Sequence, residues 1–413
     1  MKKNKIFVQI ASYRDPQLIP TLEDLFDKAK NPENLIVGIA HQHSNEDEWD
    51  SLASYVDDKR IKVIDIDYQD SKGACWARNQ IQQLYDGEEY TLQLDSHHRF
   101  VDNWDAEVIK MYKDLKNKGH KKPLLTSYIS SFDPDNDPAG RVKVPWAMQF
   151  DRFTPEGVIF FLPYHMEGNL DEPWPARFYS AHFAFTTGKF AEEVQHDPEL
   201  YFHGEEISIA VRAYTHGYDL FHPNKIIAYH EYTRKGRTKH WDNHKDWGET
   251  NKASHERMRK LLGVDGECAP CQRKKLFAQY GLGTERTLED YEHYAGVRFN
   301  DRAVKQSTLD RETPVINKDE KFNLKFKHVI NVPVAEFKEN DYTFLAIILE
   351  DKDGKVLYRK DHTDFQLQLG RAKEKNEHWF DKWVEANIEK PFKYILWAYS
   401  ESKTWAERIE VNL

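Results

Sequence analysis

Four apolar runs punctuate the first hundred residues, at 5–11 (KIFVQIA), 34–41 (NLIVGIAH), 60–67 (RIKVIDID) and 90–94 (YTLQL). Each is short and almost continuously apolar, as in strands buried on both faces. After the first run, Leu18, Leu22, Leu25, Phe26 and Ala29 recur at helical spacing within residues 16–30, and residues 73–85 read as a second helix. Strand–helix alternation with short connections predicts right-handed crossovers and an α/β fold, a doubly wound, mostly parallel sheet. Ligands of such sheets lie beyond the carboxyl ends of the strands, which directs attention to residues 11–15, 41–45, 67–73 and 95–100.

The texture changes twice further on. Residues 123–235 are rich in Pro, aromatic residues and His, with short helices expected at 188–196 and 205–216 and strands at 218–221 and 226–229. Residues 236–310 are charged and read as helix or loop. Beyond Asp319, residues 322–330, 342–350, 355–360 and 394–400 are strand-like, and Lys352-Asp353-Gly354 is a hairpin turn signal. The expected organisation is one domain over 1–310 and a small antiparallel β-sandwich domain over 316–413.

Composition narrows the possibilities. A chain of 413 residues has ample core without staples, and its net charge of −10 speaks against a nucleic-acid binder. Three cysteines make no disulfide framework, and Cys268-Ala-Pro-Cys271, lacking a second such pair, reads as loop. No stretch approaches the roughly 20 apolar residues of a membrane span. The apolar run after Lys5 is too short for a signal-peptide core, so the cytoplasm is the expected location. The aromatic content permits a homodimer without requiring one.

Candidate chemistry concentrates at Leu92-Gln-Leu-Asp95-Ser96-His97-His98-Arg99-Phe100. With period-two alternation, Asp95 and His97 point the same way and can share a cation. A carboxylate with an imidazole suits Mn²⁺ or Mg²⁺, leaving positions for water and diphosphate oxygens. His230, after the strand at 226–229, is a third candidate ligand, and His222 an alternative. Ser12, Tyr13, Arg14 and Asp15 follow the first strand, and Asp67 and Asp70 the third. Gly73 opens a helix carrying Arg78, placed to reach a phosphate or Asp95. Gly204-Glu205-Glu206 opens another helix, where the carboxylates either cap it or orient an acceptor.

Five segments, taken in order, resemble one family: Ile10-Ala-Ser-Tyr-Arg-Asp15, Gly73-Ala-Cys-Trp-Ala-Arg-Asn79, Leu94-Asp-Ser-His-His-Arg-Phe100, Phe202-His-Gly-Glu-Glu206, and Tyr280-Gly-Leu-Gly-Thr-Glu-Arg-Thr-Leu-Glu-Asp-Tyr-Glu292. The chain is similar over roughly residues 4–300 to the polypeptide α-N-acetylglucosaminyltransferases, and more widely to the retaining GT-A glycosyltransferases. The resemblance implies a GT-A fold, UDP-GlcNAc as donor, a protein or glycan hydroxyl as acceptor, and transfer with retention of the α configuration. It implies metal ligands Asp95, His97 and His230, a donor-binding set of Ser12, Tyr13, Arg14, Asp15, Asp67, Arg78, Asp95 and Ser96, and catalytic roles for Glu205, Glu206 and Arg78. Arg99 would steady the diphosphate, and Trp146, Trp174 or Tyr179 would stack on sugar.

Two other functions fit parts of the pattern. A sugar-1-phosphate nucleotidyltransferase would share the sheet and metal but needs a Gly-rich basic loop after the first strand, where this chain reads Ala-Ser-Tyr-Arg-Asp-Pro. A lectin-like protein would use Trp379, Trp383, Trp397 and Trp405 as platforms, unless these simply fill the core of the C-terminal domain.

Overall fold

The computed structural model describes residues 2–233, 236–266, 268, 270–324, 326–386 and 388–413. The amino-terminal half runs β1 (Lys2–Tyr13), α1 (Leu18–Asp27), β2 (Leu35–His43), β3 (Ile61–Asp67), α2 (Ala74–Gln82), β4 (Glu88–Asp95), β5 (His98–Phe100) and α3 (Trp104–Asn117). It continues through β6 (Pro123–Thr126), β7 (Trp146–Phe153), β8 (Ile159–His165), β9 (Trp174–Pro175), β10 (Phe183–Thr187), α4 (Phe190–Glu193), α5 (Glu205–Thr215), β11 (Asp219–His222) and β12 (Ala228–His230). The four expected strands and two expected helices of the first hundred residues are all present.

Among the described residues the main sheet has eight strands in the order β3-β2-β1-β4-β10-β6-β11-β9. β3, β2, β1 and β4 run parallel, and β10 lies antiparallel to both β4 and β6. Both faces of this sheet are covered. Val37, Ile39, Leu92 and Leu94 pack with Leu22 of α1 and Val108 of α3 on one side, while Phe7, Ala40 and Ile66 pack with Ala77 and Ile81 of α2 on the other. This is the mostly parallel α/β arrangement read from the sequence. The chain moves outward from β1 to β3 and then returns to place β4 on the far side of β1. That reversal opens a crevice at the carboxyl ends of β1 and β4, where Ala11 pairs with Asp95.

Two elements shape the crevice. β5 pairs antiparallel with β12, setting His98 opposite His230. β7 and β8 form a hairpin that the apolar pattern of this Pro- and aromatic-rich region did not reveal. In β8 Ile159 and Phe161 are buried while Phe160 and Leu162 are exposed, the alternation of a one-faced strand. The helix expected at 188–196 shrinks to the four residues of α4, because the chain leaves the helical region at Val194, at φ −132° and ψ 58°. Cys268 and Cys271 do not share a simple loop: residue 269 lies outside the described residues, and Cys271 falls in the helix Pro270–Phe277, which opens on a proline.

The carboxyl-terminal residues have a core of their own, built from Ile330, Val332, Leu345, Ile347, Phe365, Leu369, Val384 and Leu396 among others. It lies between a sheet centred on Tyr342–Glu350 and Lys393–Ser400 and the antiparallel pair Phe326–Pro333 with Trp379–Ala386. These antiparallel sheets fit the expected C-terminal β domain, to which the helix Phe365–Glu374 adds Phe365, Leu369 and Ala372 in the core. The expected strand at 322–330 is two strands. Phe322–Leu324 pairs with Ala303–Lys305 of the preceding region, and only Phe326–Pro333 joins the terminal core. The tryptophans divide: Trp397 and Trp405 stack on each other at 4.0 Å, Trp383 faces the Arg152 guanidinium at 4.9 Å, and Trp379 stays 58% exposed. Among the described residues no helix is long and apolar enough to cross a membrane.

One buried hydroxyl ties the sheet covering to the crevice. Thr21 of α1 donates to the Ser96 carbonyl at 2.9 Å and accepts the His98 backbone N–H at 2.8 Å. Thr21→Val keeps the shape and leaves both backbone groups unsatisfied, so a loss of about 1–3 kcal/mol is expected from urea denaturation.

Candidate active site

Asp95 closes β4, and the chain turns through Ser96 and His97 into β5. Oδ2 of Asp95 lies 3.3 Å from Nε2 of His230 and 3.7 Å from Nε2 of His97. Donor atoms of the three residues all fall within 4.8 Å of one another. The two imidazoles come from opposite directions: His97 from the turn after β4, His230 from the end of β12, with ring centroids 4.7 Å apart. A carboxylate oxygen between two ring nitrogens is a donor set suited to a divalent cation with mixed O and N preference. Burial, with His182 stacked at 4.1 Å, keeps His230 well below the ordinary imidazole range, so its ring is neutral at pH 7 as a ligand must be. Burial alone would raise the Asp95 carboxyl, but His230, Arg78 and His97 hold it well below the usual carboxylate range.

Behind these donors stands a supporting layer. Asp15 accepts from Ser96 Oγ at 2.7 Å and sits 2.7 Å from Nδ1 of His97. That Nδ1 stands between an acceptor, Asp15, and a donor, the Arg237 guanidinium, and either contact leaves Nε2 on the Asp95 side of the ring. Arg237 also lies against Asp15 and His97, and it pairs with Glu231 at 2.9 Å. Burial would raise Asp15; His97 and Arg237 more than reverse that, keeping it ionised.

Arg78, on α2, reaches Asp95 Oδ1 at 2.6 Å through one terminal nitrogen and Glu205 Oε1 through the other. Glu205 Oε2 also accepts from the Cys75 thiol at 2.7 Å. Of the sequence's alternatives for Arg78, phosphate or Asp95, the geometry gives Asp95. Glu205, 4% exposed, is bound up in this ion pair. Glu206 is the more open carboxylate, accepting from Tyr128 Oη at 2.7 Å and the Ala181 N–H at 3.0 Å. α2 can approach so closely because it opens on Gly73, at φ +104°, where a Cβ would come 2.8 Å from the Tyr201 ring.

A cavity of about 680 Å³ surrounds the cluster. It gathers Tyr13, Asp15, Arg78, Asp95, Ser96, His97, Glu205, Glu206 and His230 from the sequence-predicted set. Three predicted donor-site residues stand outside its lining. Ser12 is wholly buried, Arg14 is held by Asp47 at 2.6 and 2.9 Å, and Asp67 is exposed and caps the following turn through the Gln69 N–H. Asp70 is exposed as well. His222 spends Nδ1 on the Thr126 carbonyl, away from the cation donors. Arg99 turns to Gln17 and the His98 carbonyl, Tyr179 is buried, Trp146 packs on Tyr232, and Trp174 sits on the edge strand β9. The lining that sequence reasoning missed is aromatic and basic: Phe160, Phe202, His240, Trp241 and Arg237. The alternation of buried and exposed positions along β8 is the signal that could have found Phe160.

Residues 5–56 and 50–301 match the family described as Glycosyltransferase (GlcNAc). The chain belongs to that glycosyltransferase family. Among solved structures, this family member is similar to GalNAc-T7 with UDP, GalNAc and Mn²⁺, at 13% identity and a TM-score of 0.47 over 68% of this chain and 55% of that one. The chain thus spans about half the length of GalNAc-T7. It is also similar to S. aureus TarS (11% identity, TM-score 0.38, 99% of this chain and 77% of that one). A third is the mannosyltransferase PcManGT from Pyrobaculum calidifontis with GDP-Man and Mn²⁺ (11%, 0.37, 56% and 58%). No curated protein matches the sequence.

One buried carboxyl of the cavity is moved toward neutrality. Burial pushes Glu206 up to about 7, against the hydrogen bonds from Ala181 and Tyr128 that pull it down. With a folded value above the ordinary 4.3 or so, the folded state holds the extra proton, and that contribution to stability is lost as pH rises through about 7. The urea midpoint of Glu206→Gln should therefore gain on wild type progressively between pH 5 and pH 8.

Proposed function

We propose that the cavity binds UDP-GlcNAc and transfers its sugar to a hydroxyl of a protein or glycan, with the α configuration retained. The observation that carries this reading is the convergence of Asp95, His97 and His230 at the β1/β4 crevice, inside a cavity large enough for a nucleotide sugar, in a chain of the GlcNAc glycosyltransferase family. The donor set fits Mn²⁺ or Mg²⁺ held by those three side chains. Such an ion supplies positive charge against the diphosphate as it departs.

The remaining roles belong to this chain's own residues. Asp15 sets the direction of the His97 ring, and Arg78 fixes Asp95; both are positioning residues. Tyr13, whose ring packs on His240 at 5.1 Å, lies at the end of β1 where a nucleotide base would rest. Glu206, hydrogen-bonded by Tyr128, faces the cavity from the start of α5 and is the carboxyl available to orient an acceptor hydroxyl. In the transfer the bond from the anomeric carbon to UDP breaks as the acceptor oxygen bonds from the same face, and the hydroxyl proton passes to the departing phosphate. Glu205 takes no part beyond holding Arg78. Residues 1–310 would form the catalytic unit and 316–413 an accessory one, with the terminal core as its basis.

UDP release from UDP-GlcNAc in the presence of Mn²⁺ tests the reading. Asp95→Asn and His97→Ala should each lower it at least about 100-fold, the scale of losing a group that stabilises developing charge, and a chelator should abolish it. Equal release by wild type and both variants would reject the assignment.

A further inference from the structure

A second group of metal-ligating side chains lies on the opposite face of β2 from the cavity-lining Gln42. His41 and His43 alternate along β2, and Asp65 of β3 is the register partner of His41. All three side chains therefore project from one face of two adjacent parallel strands. The two imidazoles stack at 4.3 Å with their planes 5° apart, and Nε2 of His43 lies 2.7 Å from Asp65 Oδ1. One donor atom from each of the three residues lies within 4.8 Å of the others.

Asp50 gives a second, independent sign. It is 1% exposed, and its Oδ1 lies 3.2 Å from the buried Nε2 of His41. A carboxylate withdrawn from water with a single imidazole beside it is costly unless further positive charge lies near. Asp50 ends the turn Glu48–Asp50, and in the same loop Asp47 grips Arg14 at the end of β1.

We propose that His41, His43 and Asp65 bind a structural divalent cation of the zinc class, with the buried Asp50 balancing its charge. Two neutral imidazoles and carboxylate oxygen are the ligand types of such a site, and a strand that offers two histidines at i and i+2 presents them preassembled. The ion would pin the loop 44–50 to the edge of the sheet, and with it the Asp47–Arg14 pair. To meet one ion at about 2.0–2.2 Å from each donor, the two rings must rotate out of their parallel stack so that their lone pairs converge, starting from donor atoms within 4.8 Å of one another. This inference does not depend on the glycosyl-transfer reading.

The test is a metal count on full-length protein, stripped with a chelator, equilibrated with Zn²⁺ and freed of excess by gel filtration. His43→Ala and Asp65→Asn should each bind one zinc fewer than wild type and lose part of the zinc-induced rise in Tm. The double variant His97→Ala, His230→Ala should keep the zinc that depends on Asp65. Asp65 is exposed, so Asp65→Asn leaves the core intact and remains informative even if His43→Ala unfolds. Unchanged zinc content in Asp65→Asn, with an unchanged zinc-induced Tm shift, would overturn the proposal, whatever UDP release shows.

Discussion

A buried guanidinium shared by two carboxylates holds the site together. Arg78 links three parts of the chain: its own helix α2, Asp95 at the end of β4 and Glu205 at the start of α5. A charge this deep in the protein is tolerable only when it is paired on more than one side, and removing it would leave two acids facing one another. Its second effect is directional. With Oδ1 of Asp95 committed to Arg78, Oδ2 is left to face His230 and His97. The same pairing withdraws Glu205 and leaves Glu206 as the carboxyl with a neutral form accessible near pH 7.

Topology explains why distant residues can meet so closely. β1 and β4 are neighbours because the chain reverses direction across the sheet, so Asp15 and Asp95 arrive at the same end of two parallel strands. β12 then returns antiparallel to β5, and its last residue stands beside the turn that carries His97. Thr21 reaches across from the covering helix to hold that turn by its backbone. The donor atoms are thus placed by strand registers and one buried hydroxyl rather than by a long loop, which favours a preorganised site.

The parallel half of the fold was legible because continuous apolar strands and a 3.6-residue helix pattern leave clear marks, as in β1 and α1. Asp95, His97 and His230 were legible as a set through the D-x-H spacing and the family resemblance. Ser12, Arg14 and Asp67 were not separable in sequence from Tyr13 and Asp15. All follow strand ends, and only alternation and local pairing, such as Arg14 with Asp47, decide which side chain faces the cavity. The hairpin of β7 and β8 was hidden because both its apolar phases contain aromatics, one buried and one lining the cavity. The helix Phe365–Glu374 was hidden by Gly370 and a run of polar residues. Its three buried positions only become a face when the terminal sheet supplies a partner.

The overall charge of −10 is at first sight a poor match for the anionic donor proposed above, and the local pairing in the site bears on how the two would coexist. Carboxylates close to the cavity floor share two guanidiniums: Asp95 and Glu205 meet Arg78, and Asp15 and Glu231 meet Arg237. In a low-dielectric crevice such fixed local pairs outweigh charges spread over a solvated surface, which salt screens within about 10 Å. A diphosphate would thus meet Arg237, Lys239 and the edges of His97 and His230 before it meets the net charge of the molecule. What the crevice lacks is a surplus of positive charge at Asp95 Oδ2, the one oxygen that Arg78 leaves to neutral or shared imidazoles. A divalent cation at that point changes the sign of the floor without moving any side chain already held. The acidity of the protein and the charge that the crevice would present to the proposed donor are then separable properties, one of the surface and one of three side chains.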